Sequence, residues 1–270
     1  MTEHIYFSLT KHLLTSAAGE FAAATQSPFL RAAAEGRLDK ETLRLWLIND
    51  RKYIDAYIHG AEGMLREMEH PSGPPSNTPV PNDGEGELKA WLIEGIANVQ
   101  REEKFFVDVA TRYGIDLEPR EGDRGMVAVR MFEHLFDSVP PTRDVSDPWW
   151  LQGAILFWAT EKCYLEAWSW AKTLLNDQSP DKDADGGALR TEFIPNWTSP
   201  EFSDFVDRLA HIIDEAANKI SEDIEDEKEV APELATGFRE IMFVKKSVQK
   251  PMNLFLQVLD AEEKFWPVLE

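Results

Sequence analysis

The chain of 270 residues carries a formal net charge of −21, with 43% apolar and 11% aromatic residues and a single cysteine. This acidity argues against nucleic acid and anionic membrane surfaces as partners, because both require Lys and Arg. The sequence has no run of about 18 apolar residues that would predict a membrane span, and no secretory signal is apparent. The lone cysteine excludes an internal disulfide framework. We therefore expect a cytoplasmic protein.

Helical spacing of apolar residues begins near the amino terminus. Residues 3–25 mix apolar and polar positions at this spacing, and Pro28 suits the first turn of a second helix. Asp39 is the predicted cap of a long helix over about 40–69, whose apolar stripe includes one acid, Asp50. The sequence therefore predicts three helical segments before residue 70.

Residues 70–86 interrupt this pattern with five prolines among Ser, Asn, Asp and Gly. Such a composition is typical of a loop. Because the helical patterns on its two sides are alike, we interpret 70–86 as a loop inserted into one domain, and not as a boundary between two domains.

The rest of the chain continues the helical pattern, without a convincing strand or short repeat. Ser146 or Asp147 is the predicted cap of a central helix, Ser199 is that of a later one, and Pro251 separates two last helical segments. The predicted helices lie at about 87–113, 124–138, 149–175, 200–224 and within 234–270. We therefore predict an all-α chain, with residues 1–270 folded as one domain of about eight helices.

The central helix is apolar on nearly every side, and only a narrow seam at Lys162, Glu166 and Ser169 is polar. A helix of this kind is normally buried among other helices. It would carry Glu161 and Cys163 into the interior, where an unpaired charge is costly. Both are therefore candidate site residues, although a buried cysteine is most often a small core residue.

Five short motifs follow one another between residues 26 and 266. They are Gln26-Ser-Pro-Phe-Leu30 with Gly36-x-Leu38, Trp46-Leu-Ile-Asn-Asp50-x-x-Tyr53, Tyr164-Leu-Glu166, Phe193-Ile-Pro-Asn-Trp-Thr-Ser-Pro-Glu-Phe202 and Glu262-Glu-Lys-Phe-Trp266. In this order they resemble the motifs of the TenA/thiaminase II family, over nearly the whole chain. The resemblance implies the multi-helical fold that this family shares with haem oxygenases, and a homo-oligomer, often a tetramer.

The family includes hydrolases that remove the 4-amino group of an aminopyrimidine salvaged from degraded thiamin, or that split thiamin itself. Its pocket has an Asp that holds the pyrimidine, a Tyr that stacks on it, a nucleophilic Cys and a C-terminal Glu as acid/base. By position, the resemblance places these roles on Asp50, Tyr53 and Glu262, with Tyr164 as the tyrosine of the central helix. It implies a buried site for a small heterocycle, and we expect neither a metal nor a cofactor there.

Several positions depart from the family motifs. Thr160 occupies the slot of the nucleophilic Cys, and Cys163 lies three residues later, rotated by about 60° around the helix. A branch of the family lacks this Cys and relies on a Glu, a part that Glu161 could play. Phe132 and Trp197 fall where the family has tyrosines, so two hydroxyls are missing. The resemblance thus supports the pocket more strongly than it supports thiaminase chemistry.

Each candidate residue also has an ordinary structural interpretation. Asp50 could be a solvated acid beside Arg51 and Lys52, and Glu262 could belong to an exposed acidic patch. Surrounding aromatic residues would instead raise the pKa of Glu262 and suit it to acid/base work. Six aromatic residues could form either a cage for a flat heterocycle or an ordinary aromatic core: Trp46, Tyr53, Tyr57, Phe132, Tyr164 and Trp197.

Two other classes of protein on this fold need histidines. A haem oxygenase needs an axial ligand near the amino terminus, for which His12 is the candidate. A di-iron oxidase needs converging His and carboxylates, and the nearest sets are Asp207 with His211 and His59 with Glu62. We favour hydrolysis at an aminopyrimidine, with Glu262 moving the proton. The alternatives are a non-catalytic binder of a flat heterocycle and, third, a haem or di-iron oxidase.

Overall fold

The structure, a computed structural model, describes residues 6–70, 84–123, 125–139, 148–230 and 248–269, apart from the side chains of 221–230. Every regular element in these ranges is helical and none is a strand, so the all-α prediction is confirmed. Three predicted features lie wholly or mostly outside the described residues: the loop 70–86, the cap at Ser146 or Asp147, and the first of the two last helical segments.

The α-helices of the described ranges differ from the predicted pattern at one break, at several ends and by one short helix that was not predicted. They are α1 (Leu9–Ser16), α2 (Ala18–Thr25), α3 (Pro28–Ala34), α4 (Lys40–Glu69), α5 (Glu85–Tyr113), α6 (Val127–Asp137), α7 (Leu151–Thr173), α8 (Ile194–Trp197), α9 (Pro200–Val230) and α10 (Lys250–Glu263). The first predicted helix is divided at Ala17, whose backbone is not helical. The helix predicted from residue 124 begins at Val127, and the first residues of α5 lie within the predicted loop 70–86.

Polar residues that the sequence places before helices form real caps. The side chains of Ser8, Ser27 and Asp39 each accept a hydrogen bond from a backbone N–H three residues further on. Gly114 follows α5 with a left-handed backbone (φ 66°), which residues with a Cβ rarely adopt. These helices therefore begin and end where local chemistry favours it.

The central element of the fold is α7, as its apolar sequence predicts. It packs against α2, α3, α8, α9 and α10, and both Trp158 and Trp168 are almost completely buried. The long helix α4 packs mainly on α5 and α6 and faces α7 across aromatic side chains. The rings of Tyr57 on α4 and Phe157 on α7, for example, lie 4.9 Å apart between centroids. Polar residues of α4, α5 and α7 meet beside this aromatic interior.

Hydrogen bonds between distant segments hold the first and last described helices against the bundle. Asp214 on α9 accepts a bond from the backbone N–H of Thr10 at 2.9 Å and from the hydroxyl of Ser8 at 2.6 Å. The indole N–H of Trp266 donates to the Ala24 carbonyl at 2.6 Å, across 242 residues of sequence. The segment after α10 is thereby fixed to the end of α2.

A buried ion pair fixes the segment before α8. Arg190 donates to both carboxylate oxygens of Asp183, at 2.6 and 3.0 Å. Gly36 lies directly against this carboxylate, which its positive φ of 69° and its lack of a side chain permit. The chain then passes through the π-helical turn Leu189–Phe193 into α8, which carries Trp197. The ion pair therefore helps to position that tryptophan.

Candidate active site

A cavity of about 470 Å³ lies between α4, α5, α7 and the turn from α8 to α9, a size that suits a small organic ligand. Its wall runs from exposed residues, such as Arg101 and Glu201, to buried ones, so it connects the interior with solvent. Five of the residues predicted for the site line it: Asp50, Tyr53, Glu161, Tyr164 and Trp197.

Asp50 is a buried acid on the inner wall of the cavity, only 2% exposed. It lies on the inner face of α4, and the hydroxyl of Tyr164 on α7 donates to its Oδ2 at 3.1 Å. Burial raises the pKa of Asp50 well above its ordinary value, the nearby charge of Glu102 adds to the rise, and the bond from Tyr164 opposes it. Asp50 is thus an oriented carboxyl that holds a proton more readily than a solvated one.

Glu102 on α5 is a second acid of the wall, and sequence reasoning missed it. The indole N–H of Trp197 donates to its Oε1. Glu102 is half-buried, and desolvation of its carboxyl raises the pKa to about 7, against the effect of the indole bond. The only sequence signal was its spacing between Val99 and Phe106, both on the inner face of α5.

Glu161 on α7 is the third acid of the wall. Burial raises its pKa to about 8, and the charge of Glu102 contributes to the rise. The Tyr57 hydroxyl lies near enough to oppose this rise, although it makes no hydrogen bond of good geometry with any described residue. Glu161 is therefore mostly protonated at neutral pH and is able to donate a proton into the cavity.

Glu262 on α10 is buried but is not part of the cavity wall. Burial raises its pKa well above the ordinary value, and the charges of Asp50 and Glu161 raise it further. Its carboxyl therefore lies close enough to the wall acids to interact with them electrostatically. The described part of the chain offers no buried cation on this wall to balance these acids, since the one basic residue of the lining, Arg101, is exposed.

The aromatic candidates divide between the wall and the core. Tyr53, Tyr164 and Trp197 line the cavity, and the ring of Trp197 meets that of Tyr164 edge-on at 5.2 Å. Phe132 lies in the core, with its ring edge-on to that of Tyr53 at 4.9 Å. Trp46 is completely buried among other aromatic rings, and its indole N–H has no partner among the described residues. Both therefore support the wall residues without lining the cavity.

Thr160 and Cys163 also lie off the cavity wall. The Thr160 hydroxyl donates to the Phe157 carbonyl of its own helix at 2.9 Å. Cys163 is buried, and burial is the main cause that raises the pKa of its thiol, with a further rise from the charge of Glu262. The thiolate, which is the nucleophilic form of cysteine, is therefore disfavoured here.

None of the histidines named as possible metal ligands lines the cavity, and His211 is exposed on α9. The ring of His12 packs near that of Phe7, and His59 lies near Asp137 on the exposed surface. Within the ranges that the structure describes, no group of three or more His, Cys, Asp or Glu side chains is arranged to hold a metal ion. None of the helices in those ranges is long and apolar enough to cross a membrane.

No protein-family model matches the chain. A curated relative from Fusarium pseudograminearum, described as a probable transcription factor, is 24% identical over 241 residues. That match covers 78% of this chain and 45% of the relative, so the chain spans less than half of the relative's length.

Solved structures of TenA homologues share the fold over nearly the whole chain. A TenA homologue from Pyrococcus furiosus is 20% identical with a TM-score of 0.64, covering 96% of this chain and 98% of its own. A TenA homologue from P. horikoshii OT3 is 17% identical with a TM-score of 0.65, covering 96% and 97%. A TenA family transcription regulator from Silicibacter sp. TM1040 is 13% identical with a TM-score of 0.65, covering 98% and 97%. The TenA-type fold that the motifs predict is therefore confirmed.

Proposed function

We propose that this chain, which has the fold of TenA homologues, is a hydrolase of aminopyrimidines that arise from thiamin breakdown. The observation that carries the proposal is Asp50, a buried carboxyl on the cavity wall, with Tyr53 beside it on the same helix face. A carboxyl accepts a hydrogen bond from the amino group of an aminopyrimidine and, when protonated, donates one to the adjacent ring nitrogen, while an aromatic side chain stacks on the ring. The link to thiamin itself comes from the motif resemblance.

In the proposed reaction, water adds to the ring carbon that bears the amino group and gives up a proton to a carboxylate of this acid group, and ammonia leaves once the amine has gained a proton from a protonated acid. Asp50 holds the ring, Glu161 protonates the leaving amine from the cavity wall, and Glu262 exchanges protons with this group of acids. The raised pKa of Glu161, about 8, supports its part as proton donor at neutral pH. Cys163 has no part in this reaction, because its buried thiol is not ionised.

A non-catalytic binder of the same heterocycle is the second candidate function. It is favoured by Thr160, which replaces the nucleophile of the family motif and donates its hydrogen bond back to its own helix. In either case we propose a cytoplasmic homo-oligomer, following the resemblance and the single cysteine. The proteins from Fusarium pseudograminearum and Silicibacter sp. TM1040 are described as transcription proteins. We propose no such role for this chain, because its net charge of −21 disfavours binding to DNA.

The test is release of ammonia from a 4-aminopyrimidine by the purified protein. Glu161→Gln and Glu262→Gln should each lower turnover by roughly 100-fold while the ligand still binds, which is typical of losing a proton-transfer group. Asp50→Asn should weaken binding. Exposed acids on the same helices provide matched controls, Asp55→Asn on α4 and Glu263→Gln on α10, and should keep wild-type turnover.

Three results would distinguish the candidates. Ammonia release that depends on Glu161 or Glu262 supports the hydrolase. Binding without turnover in the wild-type protein leaves the non-catalytic binder. Absence of both binding and turnover contradicts both functions.

A further inference from the structure

Glu102 is held by a single oriented hydrogen bond at the cavity wall. Trp197 of α8 donates its indole N–H to Oε1, and no described residue donates a hydrogen bond to Oε2. Because Glu102 lines the cavity, its second oxygen is available to a ligand. The half-buried side chain is thus oriented by the protein through one oxygen and open to the cavity through the other.

The groups around Glu102 are predominantly acidic. Asp50 faces it from α4 and Glu161 from α7, and the charge of Glu102 raises the pKa of both carboxyls. The remaining charged or titratable groups of the lining are Tyr53, Glu94, Arg101, Tyr164 and Glu201. Of these, Arg101 is exposed and hydrogen-bonded to Asn98, and Glu94 is paired with Arg208.

A carboxylate on the inner wall therefore has no buried cation as a partner within the described residues. Burying an unbalanced charge is unfavourable, so the cavity wall favours the protonated forms of its acids. A ligand that carries a positive charge would supply the missing partner. A neutral ligand would leave the wall without one.

We propose that the cavity binds its ligand as a cation and that Glu102, oriented by Trp197, supplies the carboxylate that balances the ligand's charge. This inference rests on the proposed function, because a ring-protonated aminopyrimidine is a flat cation with N–H groups on its edge. Protonation of the ring also withdraws electrons from the carbon that water attacks. Glu102 is then a residue that selects the charge state of the substrate.

Binding of a cation should change the protonation of the acids on the cavity wall. A bound cation stabilises the charged form of Glu102, whose pKa is raised to about 7, and thereby favours release of the carboxyl proton. The affinity for a ligand that is a cation throughout should rise as the pH increases from about 6 to about 8. Asp50 and Glu161 shift the titration in the same direction, because their pKa values are raised as well.

The test compares two probes of similar shape by calorimetry. 4-Aminopyridine is a cation at neutral pH, and aniline is a neutral ring with the same amino group. We expect the wild-type protein to prefer 4-aminopyridine by at least roughly tenfold, the factor that one charge-assisted hydrogen bond is worth. Proton release should accompany this binding, detected as a dependence of the heat on buffer.

Three variants test whether Glu102 and its bond from Trp197 cause the preference for the cation. In Glu102→Gln the preference should fall several-fold, and the proton release should shrink to the part that Asp50 and Glu161 contribute. Trp197→Phe keeps an aromatic ring without the N–H and should weaken 4-aminopyridine several-fold while leaving aniline unchanged. Glu103→Gln removes the neighbouring acid of α5, which pairs with Arg51 away from the cavity lining, and should behave as wild type.

Several results would overturn the inference: equal affinity for the two probes in the wild-type protein, an undiminished preference in Glu102→Gln, or no binding of either probe. The turnover assay separates this outcome from the fate of the proposed function. Turnover without a charge preference would support the hydrolase and contradict binding of the ligand as a cation. A charge preference without turnover would support the cation site and contradict the hydrolase.

Discussion

The pH dependence of folding stability tests the buried acids through Glu161→Gln. Burial raises the pKa of Glu161 from 4.5 to about 8. Between these two values the folded protein keeps a proton that the unfolded chain releases, so the free energy of unfolding falls as the pH rises. The stabilising effect of the protonated form is complete below the unfolded pKa and is lost as the pH passes the folded pKa.

The size of the loss in the free energy of unfolding follows from the size of the pKa shift of Glu161. Each unit corresponds to about 1.4 kcal/mol, so ionisation of Glu161 costs roughly 3–5 kcal/mol once the pH exceeds 8. Gln has the shape of the protonated acid and no charge, so the substitution should remove most of this cost. Asp50, Glu102 and Glu262 also have raised pKa values, so the variant should retain part of the slope.

Urea unfolding at about pH 5, 7 and 8.5 measures this effect directly. The variant and the wild-type protein should agree within about 1 kcal/mol at the lowest pH, and the variant should be more stable by roughly 3 kcal/mol at the highest. Glu133→Gln, on the exposed face of α6, is the control and should change stability by less than about 0.5 kcal/mol at each pH. Wild-type stability that is constant or rises over this range, or a variant with the full wild-type slope, would refute the reasoning.

Three further substitutions test the support of the site and the part of the thiol. A Cβ on Gly36 would overlap the Asp183 carboxylate and strain a left-handed backbone, so Gly36→Ala should lose about 2–4 kcal/mol in urea unfolding, whereas Gly19→Ala, which meets open space, should lose nothing. Arg190→Ala leaves a buried carboxylate without its cation and should cost about 3–5 kcal/mol, and a loss below about 1 kcal/mol would contradict the structural role of the ion pair. Cys163→Ala should keep the rate of ammonia release within about threefold of wild type, because the thiol is un-ionised and off the cavity wall, and a loss beyond about 100-fold would identify it as the nucleophile after all.

Much of the fold was predictable because its signals are local or lie in ordered motifs. The caps at Ser27 and Asp39 depend on a side chain and a backbone N–H three residues away, and α7 is apolar all round. The break at Ala17 was not predictable, since the nearest glycine, Gly19, lies inside α2 and no proline is close by. Tertiary bonds from α9 to Phe7 and Ser8, which precede α1, and packing of α2 on α7 and α10 accompany this break.

The site was only partly predictable, for a different reason. Asp50 and Glu161 stood out because each is an acid among apolar residues. Glu102 belongs to a helix with many acids, and its inward direction becomes evident only beside Val99 and Phe106. The position of Cys163 off the cavity wall depends on the rotation of α7 against its neighbours, which no spacing along one helix determines.

The bond from Trp266 to the Ala24 carbonyl, which spans 242 residues, has a consequence for the order of events during synthesis. Because α10 packs on α2, α6 and α7, we expect the aromatic interior to stay open while the earlier helices leave the ribosome. Until α10 is in place, we expect the acids of α4, α5 and α7 to remain hydrated and charged. Their uptake of protons would then belong to the last stage of folding, when α10, which is synthesised after these helices, excludes water from them.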